Sequence, residues 1–494
     1  MFIPFFFILL YNRDRVGISA FIAPCDFFFP DANAGSGRSD AADWIRTAYH
    51  DMATHNVNDG TGGLDASIRF AEEQSRPENI GDGFINNTIN VLGANRYVSI
   101  ADTIALAAVM AFENCGGPEI SYRGGRVDAD GPNTPGVPEP QDSLDSHIAA
   151  FARQGFTQTE MISLVACGHS FGGVQHSLFP DVVPDLNDTT NRLSVQHFDS
   201  TFVTFDNKVA SEYIAGTTGN PLVVGLNDTK NSDKRIFGSD GNATMLSFAN
   251  SPELFASTCA SLIARMVDTV PRGVELTEII TPLPFKPANL QLILDGDNMV
   301  FTGDFRVWNT TDTSLVVMML YDDHAGATHN TTLAPRRLGT SFAINARYGA
   351  AWYGLDSFTF DGVAGIKNMR FSVNGKLEDQ DGIGFAVQDS VLFSQSSCLF
   401  SPHPVSARID IAVRNGVNPS RIYLEHATTD STGRPTVIET DIAPPTQPIA
   451  ANSAYSIWSH NLTDNLFYTI GAEINGAKIS TWANNAGIFH SCPT

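Results

Sequence analysis

The sequence predicts a mainly α-helical domain followed by an all-β sandwich domain, and three observations predict it. Up to about residue 270 the punctuation is helical, with apolar faces opened by capping residues and closed by glycine or proline. Residues 281–288 then read TPLPFKPA, three prolines in eight positions, which is the composition of a linker. Beyond them the apolar period falls to two. A chain of 494 residues is also too long for one core. The expected organisation is an atypical secretion signal over 1–20, a helical domain over 21–280, a linker over 281–288 and a sandwich over 289–494.

Each element has a local reason. Residues 2–10 form an apolar run of signal-peptide length. No basic residue precedes it, no small-x-small cleavage site follows, and Arg13 and Arg15 come after it. Asp40 is placed to cap a helix through Trp44, Arg46 and His50. Residues 99–114 carry an Ala/Leu/Val/Met face that stops at Gly116-Gly117-Pro118. Thr157-x-x-Glu160 is a capping box opening a helix that reaches His169, with Gly172-Gly173 to close it. Residues 250–270 form a last helix ending at Pro271. In the second half, Ile409, Ile411 and Val413 alternate with Arg408, Asp410 and Ala412. Residues 466–474 and 477–482 flank Asn475-Gly476, a hairpin on a type I′ turn.

Composition narrows the partners. An apolar fraction of 43% is that of a globular protein. A net charge of −23 repels nucleic acid and anionic membranes and suits an acidic extracellular medium. No apolar run is long enough to span a membrane. Six cysteines, an even number with no CxxC pair, favour disulfides over zinc or dithiol redox chemistry, and Cys398 and Cys492 both lie in the β half. Seven N-x-S/T sequons, at Asn86, Asn187, Asn227, Asn242, Asn309, Asn330 and Asn461, agree with a secreted glycoprotein, although chance alone supplies a similar number.

Two segments carry the chemistry. Arg46-Thr47-Ala48-Tyr49-His50-Asp51 is followed by Gly62-Gly63-Leu64-Asp65-Ala66-Ser67, and Leu164-Val165-Ala166-Cys167-Gly168-His169-Ser170 supplies a second histidine. Arg46 and His50 are four apart and share one helix face. A base and a fixed cation facing one cavity, with another histidine available as an axial ligand, are the equipment for splitting a peroxide on haem iron.

These segments resemble the haem peroxidases of the plant, fungal and bacterial superfamily, the secreted fungal branch most closely, over roughly residues 25–275. The resemblance implies two helical halves sandwiching haem b. His50 is the acid and base, Arg46 the charge stabiliser and Asn79, in Pro77-Glu78-Asn79, the residue that orients His50. His169 is the axial ligand of the haem iron and Asp240, in Arg235-Ile236-Phe237-Gly238-Ser239-Asp240, its hydrogen-bond partner. Phe198, Pro138 and Glu139 match haem-side positions. Two calcium ions are implied, one on Asp51, Gly63, Asp65 and Ser67, the other on Ser170, Asp199, Thr201, Thr204 and Asp206. Carboxylates, carbonyls and hydroxyls are the hard oxygen ligands that Ca²⁺ takes. Asp102 and Arg126 match a family salt bridge. Cys115 matches a disulfide cysteine with Cys25 as its partner, and Cys259 is a partner for Cys167 unless Cys167 stays a buried thiol.

Departures from the pattern restrict the donor. Phe198 stands where cytochrome c peroxidases carry a tryptophan, which implies that the second oxidising equivalent stays on the porphyrin. Leu164 holds the place of a surface tryptophan in ligninolytic relatives. Ser39, Asp43 and Gln175 hold the places of three manganese carboxylates. Tyr49 replaces Phe or Trp beside His50 and is itself oxidisable. The reading is therefore an enzyme that reduces hydrogen peroxide and oxidises small phenolic or aromatic donors at the haem edge, with cell-wall polysaccharide as a partner of the β domain. The rival is a non-catalytic cell-wall or carbohydrate-binding protein on a peroxidase scaffold.

Overall fold

The computed structural model describes residues 25, 35–81, 88, 97–310, 312–340, 349–402, 405–447, 449–463, 468–483 and 490–492. The segment 1–20 and the sequon at Asn86 lie outside them. The chain divides into two compact units whose main boundary falls between Pro282 and Leu283.

The first unit is helical. Helix α1 (Asp40–Met52) is capped by Ser39, whose extended backbone lets its hydroxyl accept from the Ala42 N–H. Asp40, expected as the cap, is instead the first helical residue, and burial pushes its carboxyl up to about 9. Helix α2 (Ile100–Asn114) is capped by Ser99, one residue inside the expected start, and is almost wholly buried. Helix α3 (Leu144–Gln154) ends at Gly155, whose φ of 95° suits glycine.

Helix α4 (Gln158–Gly168) opens on the Thr157–Glu160 capping box, and Arg265 Nη1 sits 2.6 Å from Glu160 Oε1. It stops sooner than the sequence suggests. His169 is its C-cap, and Gly172 lies beyond the end, in a left-handed turn. A Cβ at Gly172 would come within 2.6 Å of the Ala42 Cβ, so glycine there lets the chain pass α1. Gly173 opens a short ribbon, Gly173–Gln175 paired with Val195–His197.

Further helices follow, among them α5 (Lys208–Ala215), α6 (Ser232–Phe237), α7 (Ala243–Asn250) and α8 (Pro252–Val267). Ser251 caps α8 with Pro252 in its first turn, so the last helix is shorter at both ends than expected. One apolar core joins α1, α2, α4 and α8 through Trp44, Phe112, Leu164 and Phe255, among others. Each large side chain buried there contributes about 1.5–3 kcal/mol. Arg126 and Asp102 form a buried salt bridge at 3.0 Å. Disulfides join Cys25 to Cys115 and Cys167 to Cys259, the second tying α4 to α8 two residues before His169.

The second unit is all β. Strand Phe285–Asp295 begins inside the proline-rich stretch and pairs antiparallel with Asn298–Trp308, which pairs in turn with Gly349–Asp361. This large sheet also includes Val405–Arg414 and Tyr455–Thr463. A second sheet of four strands runs Pro435–Ile442, Arg421–Thr429, Tyr468–Ile474, Ala477–Ala483. Ile409, Ile411 and Val413 face this sheet across an apolar core, while Ala412 on the opposite face joins another core, so both faces of that strand are covered. Asn475 and Gly476 both have positive φ, as the predicted hairpin turn requires. Cys398 and Cys492 are bonded. Among the described residues no helix is long and apolar enough to cross a membrane.

Candidate active site

Helix α1 carries Arg46 and His50 to a cavity of about 560 Å³. His50 Nδ1–H donates to the Asn79 side-chain carbonyl at 2.7 Å, and Asn79 Nδ2 donates to the Glu73 carbonyl at 2.7 Å. The acceptor fixes the tautomer, leaving Nε2 of His50 as the basic nitrogen. Burial holds the His50 imidazole well below its ordinary range, and the Arg46 guanidinium adds to the effect. Arg46 donates to the carbonyls of Glu78 at 3.0 Å and Ile80 at 3.3 Å, and burial lowers it to about 10, so it stays a cation. Tyr49 also lines the cavity, edge-on to His50 and stacked on Phe151, with its hydroxyl buried.

The end of α4 brings His169 to the same cavity. Its Nδ1–H donates to Asp233 Oδ2 at 2.7 Å, and Asn220 Nδ2 donates to that oxygen at 2.8 Å. The Phe198 ring lies over His169, centroids 4.0 Å apart and planes 14° off parallel. Asp240, predicted as the partner of His169, is elsewhere: it accepts from the Thr244 N–H and hydroxyl at the start of α7. The short helix α6 presents Asp233 near its start, and Asp240 falls past its end. Asp233 and Asn220 are thus the residues that sequence reasoning missed. The run Asn231-Ser232-Asp233, polar residues opening a helix, was the available signal.

Other predicted residues also reach the cavity. Pro138, Glu139, Leu164, Ser39, Asp43 and Gln175 all line it. Asp43 is engaged by Arg38 Nη2 through both carboxylate oxygens, at 2.9 and 2.7 Å. Arg38 was not anticipated, although an arginine five residues before the lone carboxylate is the sequence sign of it.

The expected calcium sets fall beside each histidine. Asp51 is buried and accepts from the N–H groups of Asp65, Ala66 and Ile68 at 2.7–2.9 Å. Burial raises both Asp51 and Asp65, and for Asp51 the nearby Asp65 charge adds to it. Asn133 Nδ2 lies 2.9–3.0 Å from both Asp65 carboxylate oxygens and from Ser67 Oγ. Gly63, between them in the chain, has a φ of 127° and abuts the Thr269 carbonyl. On the other side Asp199 Oδ2 is buried without a partner among the described residues, and burial pushes Asp199 to about 7, with Asp206 adding repulsion. Ser170 is buried, Asp199 Oδ1 accepts from the Thr201 N–H, and the Thr204 N–H bonds the Thr201 carbonyl. A buried carboxylate with a second acidic charge near it suits a cation. Among the described residues no three His, Cys, Asp or Glu side chains converge as a metal-binding group.

The sequence that builds this site is similar to known proteins. Residues 31–322 match the sequence model of the family described as Peroxidase. The chain belongs to the peroxidase family. Its relatives come from several branches of that family. A WSC domain-containing protein of Arthroderma benhamiae is 33% identical over 499 aligned residues, covering 96% of this chain and 65% of the relative. L-ascorbate peroxidase 5 of Arabidopsis thaliana is 36% identical over 138 residues, 28% of this chain and 49% of the relative. Manganese peroxidase 2 of Phlebia radiata is 30% identical over 215 residues, 40% of this chain and 52% of the relative. The chain thus matches only part of the length of each, from about half to 65%.

Proposed function

We propose that this chain is a secreted haem peroxidase that reduces hydrogen peroxide and oxidises small phenolic or aromatic donors. The observation that carries the reading is a pair of histidines lining one cavity, each with its Nδ1–H held by a side chain. His169 Nε2 is the nitrogen available to iron. Haem b, held by His169, would supply the redox-active iron for peroxide reduction and one-electron oxidation of donors.

The chain's own residues do the rest. His50 Nε2, neutral because of its burial, accepts a proton from the incoming peroxide and returns it to the departing oxygen. Arg46 offers fixed positive charge where negative charge develops. Asn79 holds the imidazole in the tautomer that makes Nε2 the base. The proximal partner in this reading is Asp233, whose carboxylate draws on the His169 N–H and strengthens Nε2 as a ligand. Calcium on the sets around Asp51 and Asp199 would brace the two segments that carry the histidines.

The same geometry argues against a manganese donor. Mn²⁺ needs several hard oxygen ligands, and the Asp43 carboxylate is already neutralised by Arg38. The calcium-type residues, the three disulfides and the match to Manganese peroxidase 2 support a place near the secreted fungal branch. The β unit, in this reading, contacts cell-wall polysaccharide.

Haem titrated into the purified chain should give a Soret band, and peroxide should then drive phenol oxidation without saturable Mn²⁺ oxidation. His169→Ala should shift or weaken the band. A chain that develops no Soret band, or micromolar Mn²⁺ turnover abolished by Asp43→Ala, would overturn the reading or its donor class respectively.

A further inference from the structure

The peroxidase chemistry leaves unused a groove of about 690 Å³ in the β unit. It opens where the large sheet and the four-stranded sheet part. Val413 and Trp458 come from the first, and Ile422, Asp441 and Ile442 from the second. The loop after strand Val405–Arg414 closes one end and brings Asn418 to the rim.

The groove is two-toned. Its floor is apolar: Val413, Ile422 and Ile442 are all buried core residues. Trp458 pairs with Ile411 in the strand register, so its half-buried ring stands on the same face as the core residues, at their margin. Its rim is polar and exposed. Among the described residues neither the Trp458 indole N–H nor the Asn418 side-chain amide has a hydrogen-bond partner.

Charge selects further. Two arginines line the groove: Arg414 is buried, 3.6 Å from Asp389 and bonded to the Tyr455 hydroxyl, and Arg421 is engaged by Asp441 and Glu439 and lies 3.7 Å from Glu473. With Lys478 included, four carboxylates (Asp389, Glu439, Asp441 and Glu473) face three cations, on a chain of net charge −23. An anionic ligand is disfavoured there. A neutral ligand with one apolar face and a ring of hydroxyls fits both tones at once, and that describes a pyranose.

We propose that this groove binds a neutral oligosaccharide, with one sugar face stacked on Trp458 and its hydroxyls bonded to the Asn418 amide and the Asp441 carboxylate. The inference rests on the reading of the β unit as the polysaccharide-contacting part and names its site. Sugar–indole packing and hydrogen bonds to polar side chains are each modest, so affinity comes from their sum.

The test uses the full chain and three soluble probes: β-1,3-linked and β-1,4-linked glucose oligomers and β-1,4-linked N-acetylglucosamine oligomers. Tryptophan fluorescence and calorimetry are read with a sulfated polysaccharide as the anionic control, and retention on insoluble forms is measured in parallel. At least one neutral probe should bind and perturb the fluorescence. Trp458→Ala should weaken it tenfold or more, Trp458→Phe less, and Asn418→Ala, at an exposed rim position, severalfold without disturbing the fold. Peroxide turnover should be equal in all four proteins. If the parent is retained on insoluble polysaccharide and every variant equally so, the groove assignment falls while the polysaccharide reading stands. If the parent binds no neutral probe, or only the anionic one, both fall.

Discussion

His50 and His169 line the same cavity, and each gives its Nδ1–H to a side chain at 2.7 Å, but one acceptor is a neutral amide and the other a carboxylate. The difference teaches how one residue type is made to do two jobs. An amide fixes orientation without adding charge, so His50 remains free to take up and release a proton. A carboxylate pulls on the proton it receives and makes the far nitrogen a stronger electron donor, which is what a metal ligand needs. Each acceptor is itself held in place, Asn79 by the Glu73 carbonyl and Asp233 by Asn220. Neither histidine relies on its own rotamer alone.

Four measurements would break or sharpen this contrast. The largest effect belongs to His50→Leu, which should leave haem binding intact and slow the reaction with peroxide by about 10²–10⁴-fold, the usual worth of a positioned acid–base group. An unchanged stopped-flow rate would remove His50 from the chemistry. Exchanging the proximal acceptor comes next. Asp233→Asn should weaken haem retention or peroxide reactivity by about 10–100-fold. Asp240→Asn should change neither, and the reverse ranking would restore the discarded partner.

Metal removal should touch both histidines at once. Chelation should lower the thermal midpoint by on the order of 5 °C and slow the peroxide reaction, because an ion bound only to the folded state stabilises it. Elemental analysis showing no calcium, with an unmoved midpoint, would remove both ion sites from the account. The smallest effect is expected for Glu160→Gln, in the capping box of the helix that ends at His169. Hydrogen bonding to Arg265 holds the Glu160 carboxyl down at about 2. Its folded pKa lies below its unfolded one, so its stabilisation is present above about pH 4.5 and is lost as pH falls through about 2. The variant should cost about 1 kcal/mol at neutral pH, with the gap closing in that acid window.

What the sequence made legible follows from how local each signal is. Ser99, the Thr157–Glu160 box and Asn475-Gly476 specify their elements within four residues, and all three hold. Arg46 and His50 were readable because helix spacing puts them on one face, and Asn79 because its short segment resembles that of the haem peroxidases. The acceptor of His169 was not. Sixty-four residues separate His169 from Asp233, and only the placement of the short helix α6 decides between two nearby aspartates. Asp40 and Ser39 competed for the same cap one position apart, and the residue with extended backbone took it. Arg38 escaped notice because its meaning lies in what it does to Asp43, a contact that composition at the position cannot express.

The disulfides have a consequence for how the chain matures. Each cysteine is joined to the next one along the sequence, 25 to 115, 167 to 259 and 398 to 492, with separations of 90, 92 and 94 residues. No bridge encloses or crosses another. An oxidant meeting the cysteines in order of synthesis therefore joins native partners by taking them two at a time, with no wrong bridge to undo by the slow exchange that reshuffling requires. The bridge behind His169 needs no cysteine beyond Cys259, so its closure does not wait for the β unit.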